Sequence, residues 1–147
     1  MKIFDCTLYY DEDLILDARL NILDPYIDKF IICEASFSHS GRKKELNFDI
    51  NKFQKFKDKI IYIVQETEPK DIIYQDKLNK TENPKNWRAN AVKRIAHQRN
   101  KLLEEVSKHA DEEDYILYSD NDEIPNLDIH NFKNIKSKII IFEQDLY

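Results

Sequence analysis

The sequence predicts an α/β sandwich with a largely parallel central sheet, and three observations lead to that prediction. Short apolar runs alternate with amphipathic or polar segments long enough to cross from one strand to the next. The run at 28–35 contains four consecutive apolar residues, Phe30-Ile31-Ile32-Cys33, followed by an acid, which is typical of a strand buried on both faces. With 147 residues, 41% of them hydrophobic, the chain can build one sizeable core. We therefore expect a single domain over residues 1–147, with strands at 2–8, 28–35, 59–64, 115–118 and 138–142.

Two of the connecting segments have the spacing of helices. The acids at 11–13 open the first, and its apolar positions continue to Leu23 before Pro25 ends it. The second and longest is predicted from 87 to about 109. The polar stretch at 65–86 is predicted to be a long loop, a kind of segment that often serves as a lid or binds ligands. The apolar positions of the second helix are Ala91, Val92, Ile95, Ala96, Leu102, Leu103 and Val106.

Composition excludes several classes of protein. The 23 basic and 28 acidic residues give a net charge of -5, so there is no electrostatic footprint for nucleic acid and we expect no such partner. The single glycine, Gly41, excludes Gly-rich phosphate loops.

No stretch approaches the ~20 apolar residues of a membrane span, and Met1 leads into an acidic segment, so we expect no transmembrane segment and a cytoplasmic location. Cys6 and Cys33 lie in apolar runs, which indicates two buried side chains.

The most informative motif is the acidic segment that follows the strand at 115–118. Asp120 and Asp122 are two residues apart, so in an extended chain both carboxylates point to the same side, within reach of one hard cation. Such a cation could bridge to the oxygens of a diphosphate. The alternative is that these acids merely end the strand in solvent. Two features favour a metal: three acids in four positions repel one another unless they share a cation, and Ile124-Pro125 makes the turn rigid.

An ordered set of short motifs, spread along most of the chain, resembles glycosyltransferase family 17, a family of β-1,4-N-acetylglucosaminyltransferases that act on N-glycans. Two positions depart from the usual pattern: Asn121 replaces an apolar residue inside the Asp-x-Asp motif, and Ala35 replaces a serine. The matching motifs are Phe4-Asp5-Cys6, Asp11-Glu12, Arg19-Leu20-Asn21, Ile32-Cys33-Glu34, Ser40-Gly41 with Lys44, the segment 56–61, Gln98-Arg99-Asn100, and Ser119-Asp120-Asn121-Asp122-Glu123-Ile124-Pro125.

The resemblance implies a GT-A-like, Rossmann-like three-layer sandwich that binds a UDP-sugar, with UDP-GlcNAc as the expected donor. It also implies a glycan or glycoconjugate acceptor, inversion at the sugar carbon, and Mn²⁺ or Mg²⁺ as the cofactor. In this sequence Asp120 and Asp122 match the metal and diphosphate site. The residues that match the donor-binding pattern, in addition to Asp120, are Glu34, Arg99 and Asn100, together with Glu12 and Arg19, whose roles are less defined.

The chemistry of three of these side chains leaves alternatives open. Arg99 could offer a forked set of donors to a phosphate or carboxylate, or could form a surface salt bridge. Glu34 could accept hydrogen bonds from a ribose or sugar hydroxyl, or could be a strand-end acid in solvent. Trp87 could stack on a sugar face, although an aromatic residue at a helix start is more often part of the core.

Members of the family continue well beyond the fifth predicted strand, so we expect this chain to be the N-terminal, donor-binding part of such an enzyme. The general base usually lies in the later region, and within this chain the candidates are Glu123 and Asp145. Two other functions stay open. The chain could be a non-catalytic nucleotide-sugar or glycan-binding fragment, or a metal-dependent phosphohydrolase that uses the same acids.

Overall fold

The computed structural model describes residues 1–128, 134–135 and 137–143. In chain order, its strands and α-helices are β1 (Ile3–Tyr9), α1 (Asp13–Leu23), β2 (Lys29–Ala35), β3 (Ile60–Gln65), β4 (Tyr74–Asp76), β5 (Thr81–Glu82), α2 (Trp87–Val106) and β6 (Tyr115–Tyr118). Two short 3-10 helices, Ile50–Phe56 and Pro84–Asn86, lie between these elements. The central sheet has four parallel strands in the order β3-β2-β1-β6, and a small antiparallel hairpin, β4-β5, lies outside it.

The sheet is covered on both faces, which confirms the predicted three-layer α/β sandwich. Successive side chains of β1 and β2 point to opposite faces, as the twofold period of a strand requires. One face packs against α1 and the first 3-10 helix, and the other packs against α2. The first core includes Leu16, Leu20, Leu23, Phe30, Ile32, Phe53 and Phe56, and the second includes Phe4, Cys6, Ile31, Cys33, Leu102 and Val106.

The order of the strands shows where a ligand site should lie. The chain runs from β1 outward to β2 and β3, and then α2 carries it back across the sheet to β6 on the other side of β1. The direction of winding therefore changes between β1 and β6. In open α/β sheets, ligands bind outside the carboxyl ends of the strands at such a switch point.

Helix α2 is present where the sequence predicts it, but part of its buried face differs from the predicted one. Its buried residues lie four apart, at Asn90, Arg94, Gln98, Leu102 and Val106. The last two are apolar, as predicted, whereas the first three are polar and find hydrogen-bond partners inside the protein. Two residues of the predicted apolar set, Val92 and Leu103, are instead more than half exposed.

Two other segments differ from the prediction. The fifth predicted strand is not formed: described residues 137–143 have no strand, with Ile139 and Ile141 exposed while Ile140 and Phe142 pack against the first core. The long loop at 65–86 contains the β4-β5 hairpin and the second 3-10 helix. Among the described residues, no helix is long and apolar enough to cross a membrane.

Candidate functional site

A cavity of about 450 Å³ lies at the carboxyl ends of β1, β2 and β6, next to the switch point. Side chains from four parts of the fold line it. They come from the β1–α1 turn, the segment after β2, the middle of α2 and the loop after β6. The lining residues are Leu8, Tyr9, Tyr10, Glu12, Ile15, Ala35, Phe37, His39, Ile95, Gln98, Arg99, Asp120, Asn121 and Asp122.

The acidic loop after β6 is held from below by Arg19 of α1. The Arg19 guanidinium donates to the carbonyl oxygens of Asp120 (2.8 Å) and Glu123 (3.1 Å) and to the Ser119 hydroxyl (2.7 Å). The Ser119 hydroxyl in turn donates to the Glu123 carbonyl at 2.8 Å. One side chain on a regular helix therefore fixes the backbone of the loop, whose Asp120 and Asp122 line the cavity.

Arg19 is itself held by Asp5 of β1. The two side chains form a bidentate ion pair, with Nε–Oδ2 and Nη2–Oδ1 distances of 2.8 and 2.7 Å, and both are almost fully buried. Two parallel N–H···O bonds of this kind fix orientation as well as contributing energy. Asp5 can reach Arg19 because it points to the α1 face of the sheet, between Ile3 and Thr7 of the same strand.

Three charged groups face the cavity from α2 and the acidic loop. Arg99 donates from Nη2 to Oδ1 of Asp120 at 3.1 Å, and its guanidinium lies 5.3 Å from the centre of the Tyr118 ring. The Arg99 and Asp120 side chains are 44% and 54% exposed, so the pair is open to solvent. Asp122 is also exposed and lines the same cavity. The structure thus brings together Arg99, Asp120 and Asp122, which the sequence placed in one site.

Asn121 is the most unusual residue of the cavity. It is 7% exposed, yet neither atom of its side-chain amide has a hydrogen-bond partner among the described residues. A buried amide without a partner costs about 1–3 kcal/mol, so such groups are expected to meet a partner in the functional state. Both amide atoms are buried, but Asn121 lines the cavity, so a turn of its side chain would bring them to a bound ligand.

Two tyrosine hydroxyls near the site remain protonated. Burial and the hydrogen bond to Asp13 raise the pKa of Tyr9 far above its ordinary value, and the hydroxyl donates to Asp13 Oδ1 at 2.5 Å. Burial also raises the pKa of Tyr118, against the opposing effect of the nearby Arg99. Tyr9 therefore contributes a neutral side chain to the cavity lining, and its hydroxyl is held by Asp13.

Glu34 has a different place from the one expected for a donor-binding residue. It is fully buried and is not part of the cavity lining. Its carboxylate forms an ion pair with Lys44 and accepts from the backbone N–H groups of Asn47 (2.8 Å) and Phe48 (3.1 Å) and from the Tyr62 hydroxyl (2.8 Å). Glu34 thus fastens the segment after β2 to the sheet. Arg19 is likewise fully buried and outside the lining, so neither side chain has a surface with which to contact a ligand.

The other residues singled out from the sequence divide between the cavity and its surroundings. Glu12 lines the cavity, and its carboxylate accepts from the backbone N–H groups of Tyr10 and Asp11. Asn100 is exposed on α2 outside the lining. The Glu123 carboxylate accepts from the backbone N–H of Asp120 at 3.1 Å, which closes the acidic loop. Asp145 lies outside the described residues.

The donor set of the site fits a hard divalent cation that is shared with a ligand. Within the described part of the chain, no three His, Cys, Asp or Glu side chains converge in the manner of a protein-only metal site. Mg²⁺, however, is usually held by one or two carboxylates together with substrate phosphates and water. Asp120 and Asp122 supply such a pair of carboxylates, and the neighbouring amide of Asn121 adds an uncharged oxygen.

Sequence reasoning missed several residues of this cavity. Asn121 carried a signal, since a polar residue stood where the family usually has an apolar one. Gln98 carried another because it begins the Gln-Arg-Asn motif; it is buried, and its amide donates to the Cys33 carbonyl at 2.8 Å. Phe37 and His39 follow β2. The position of Phe37 just beyond the carboxyl end of a predicted strand was a signal, whereas nothing in the local sequence pointed to His39.

A Rossmann-like parallel sheet with a cavity at its switch point defines a class of α/β proteins that bind their ligands at the carboxyl ends of the strands. The sequence model of glycosyltransferase family 17 matches residues 1–138. The chain therefore belongs to glycosyltransferase family 17, and membership supports transfer of a sugar from a donor to an acceptor. No curated protein and no solved structure gives a significant match to the chain.

Proposed function

We propose that the cavity binds a UDP-sugar donor, with UDP-GlcNAc as the first candidate, for transfer to a glycan or glycoconjugate acceptor with inversion. The observation that carries the proposal is the meeting of Arg99, Asp120, Asp122 and the partnerless amide of Asn121 at one end of the cavity. One positive and two negative groups at the same place match the needs of a diphosphate bound with a divalent cation.

The pair formed by Arg99 and Asp120 can be exchanged for ligand contacts at little cost. Exposed ion pairs contribute only about 0–1 kcal/mol, and both side chains are about half exposed. Arg99 can then turn its forked donors toward phosphate oxygens, which it binds in bidentate fashion better than a lysine would. The Asp120 carboxylate is released to act together with Asp122.

The bound Mn²⁺ or Mg²⁺ would neutralise the charge that collects on the leaving diphosphate. The other contributions come from the chain itself. Arg99 stabilises the same charge by direct hydrogen bonds, and Asn121 holds the ligand through its amide. Arg19, through the loop backbone, keeps Asp120 and Asp122 in place, and Glu34 does the same for the segment that carries Phe37 and His39. Both are positioning residues. The acceptor hydroxyl attacks the sugar carbon in line with the departing diphosphate: its proton passes to a general base, and the bond from the sugar carbon to the diphosphate oxygen breaks.

The test is calorimetric titration of UDP-GlcNAc with Mn²⁺ present and absent, on wild type and on Asp122→Asn. The isosteric change removes one charge and keeps the shape, and we expect about a tenfold loss of metal-dependent affinity from one lost charge-assisted contact. Asp17→Asn is the matched control, since Asp17 is an exposed acid of α1 outside the cavity. Binding that is independent of Mn²⁺, or unaltered by Asp122→Asn, would contradict the proposal.

Turnover separates this proposal from the alternatives. Transfer to an acceptor, or slow metal-dependent hydrolysis of the UDP-sugar, would mark a transferase site. Donor binding without either reaction would mark a binding module. Release of phosphate from p-nitrophenyl phosphate in the absence of sugar chemistry would mark a phosphohydrolase instead.

A further inference from the structure

A second, more open cleft of about 720 Å³ lies beside the donor cavity and shares His39 with it. Its lining comes from three parts of the chain: the turn after β2, the β4-β5 hairpin and the first turns of α2. None of its residues is needed for the function proposed above except His39. The lining residues are His39, Ser40, Gly41, Arg42, Lys80, Glu82, Trp87, Arg88 and Ala91.

The floor of this cleft is rigid. Arg94, 2% exposed, forms ion pairs with Glu82 and with Glu68 (2.6 Å to Oε1), and Glu82 also accepts from the Asn90 amide at 2.8 Å. The Arg94 guanidinium lies so close to Gly41 that a Cβ there would be 2.5 Å from Nη2, and Gly41 has a φ of +82°. The turn that carries Ser40, Gly41 and Arg42 is therefore seated directly on the buried ion-pair cluster.

The walls of the cleft carry an excess of positive charge. Arg42, Lys80 and Arg88 are exposed, and none of them makes a side-chain hydrogen bond or ion pair with the described residues. The one acid of the lining, Glu82, is already neutralised by Arg94. Three free cations thus converge on a concave surface of a protein whose net charge is -5. Lys80 is held there in a left-handed backbone conformation (φ 50°), which is unfavourable for a residue other than glycine.

Trp87 gives the cleft a flat apolar wall. It begins α2 and is 58% exposed, whereas an aromatic residue at that position would more often be part of the core. Indole faces are suited to stacking against the apolar face of a sugar ring, and they keep a polar N–H available at the edge. The cleft therefore combines a stacking surface with a set of cations.

We propose that this cleft is a saccharide subsite that takes an acidic sugar, one whose ring stacks on Trp87 and whose carboxylate or phosphate meets Arg42, Lys80 and Arg88. Because the cleft adjoins the donor cavity at His39, we assign the acidic saccharide as the acceptor. In naming the ligand an acceptor, this inference rests on the function proposed above, whereas binding to the cleft is tested without donor or metal.

A polymeric polyanion such as nucleic acid fits this surface less well. The cations are confined to one cleft with a single aromatic side chain, and nucleic-acid sites instead follow a long basic surface with successive stacking platforms. The overall negative charge of the chain would also repel a long polyanion outside the cleft.

The experiment uses the protein's only tryptophan as its probe, because Trp87 emission reports on this cleft alone. Four ligands are titrated: a trigalacturonate, a phosphorylated maltotriose, neutral maltotriose, and tripolyphosphate. The two acidic sugars show whether the cleft prefers a carboxylate or a phosphate. Maltotriose is a sugar without charge, and tripolyphosphate is an anion without a sugar. We expect at least one acidic sugar to shift the emission and to bind at least tenfold more tightly than maltotriose and tripolyphosphate.

Variants are compared by calorimetry with the better acidic sugar. Arg42→Gln and Arg88→Gln should each weaken binding about tenfold, as expected for a lost charge-assisted contact, and Trp87→Ala should abolish measurable binding. Lys57→Gln, an exposed lysine outside the cleft, is the matched control and should change nothing. Asp122→Asn should also leave acidic-sugar binding intact, so this proposal and the donor proposal fail separately.

Four results would overturn the inference. These are absence of binding by both acidic sugars, equal affinity for neutral maltotriose, binding that leaves Trp87 emission unchanged, and binding of tripolyphosphate as tight as that of the acidic sugars and unaffected by Trp87→Ala. The last outcome would identify a plain phosphate site.

Discussion

The support of the acidic loop can be tested with Arg19→Lys. This change keeps the buried positive charge beside Asp5 but replaces the forked guanidinium with a single ammonium group. Arg19 makes six hydrogen bonds, to the Asp5 carboxylate, the Ser119 hydroxyl and the carbonyl oxygens of residues 120, 121 and 123. A guanidinium has five N–H donors, one of them shared between two of these acceptors, and a lysine ammonium has three, so about three of the six contacts should be lost. At about 1 kcal/mol for each, the free energy of unfolding should fall by about 3 kcal/mol.

A loss of that size leaves the protein folded, because domains are usually stable by about 5–15 kcal/mol. Urea denaturation measures the change in stability, and amide hydrogen exchange measures the loop directly. The backbone N–H of Glu123 is bonded to the Asp120 carbonyl at 3.0 Å, and that of Asp120 to the Glu123 carboxylate. In Arg19→Lys both amides should exchange faster, and Mn²⁺-dependent donor affinity should fall.

Leu102→Ala is the matched control, since it costs about 2–5 kcal/mol in the core on the opposite face of the sheet and does not touch the loop. It should lower stability without changing loop exchange or donor affinity. A loss of less than about 1 kcal/mol in Arg19→Lys, or loop exchange no faster than in Leu102→Ala, would show that Arg19 does not hold the loop.

Two further predictions follow from titratable groups. Burial acts to raise the pKa of Glu82, but hydrogen bonds from Arg94 and Asn90 outweigh it and hold that pKa below 4.5. The contribution of Glu82 to stability is therefore present above pH 4.5 and is lost as the pH falls through the folded-state pKa. In urea titrations at decreasing pH, Glu82→Gln should lose less stability than the wild type does. Burial raises the pKa of Cys6 and of Cys33 to about 12, so neither thiol should react with a disulfide reagent at pH 8 in the folded protein, while both react once it is unfolded.

Each of these has an outcome that would contradict it. An acid-unfolding profile in Glu82→Gln with the same slope as wild type would mean that the ion pairs of Arg94 do not depend on this carboxylate. Rapid labelling of either thiol under native conditions would mean that β1 or β2 opens locally, since both strands are buried in the centre of the sheet.

The strands of the central sheet could be predicted because their signals are local. The runs around β1, β2, β3 and β6 are apolar where both faces are covered, and the observed strands lie within a residue or two of the predicted ones. The run at 138–142 has the same local signal but does not form a strand. Pairing depends on a neighbour elsewhere in the chain, and an apolar run alone does not supply one.

The candidate site was predictable only in part for the same reason. Asp120, Asp122 and Arg99 carry motifs that can be read directly, and they meet at the cavity. The support that Arg19 gives to the loop could not be predicted, because Arg19 and the loop are about a hundred residues apart in the chain. The periodicity of the sequence does not reveal such contacts. Glu34 was recognised as important, but its burial beneath Lys44 and Tyr62 follows from the path of the segment after β2.

The buried stripe of α2 has a consequence for the spacing between the two cavities. Its polar members, Asn90, Arg94 and Gln98, have hydrogen-bond partners in the β4-β5 hairpin and its flanks, in the segment after β3 and in β2, so the helix cannot slide by one turn, about 5.4 Å, without losing these bonds. Trp87 and Arg99 are carried on this same uninterrupted helix, about 18 Å apart along its axis at about 1.5 Å per residue. The helix therefore holds Arg99, at the first cavity, and Trp87, at the second, at a fixed separation.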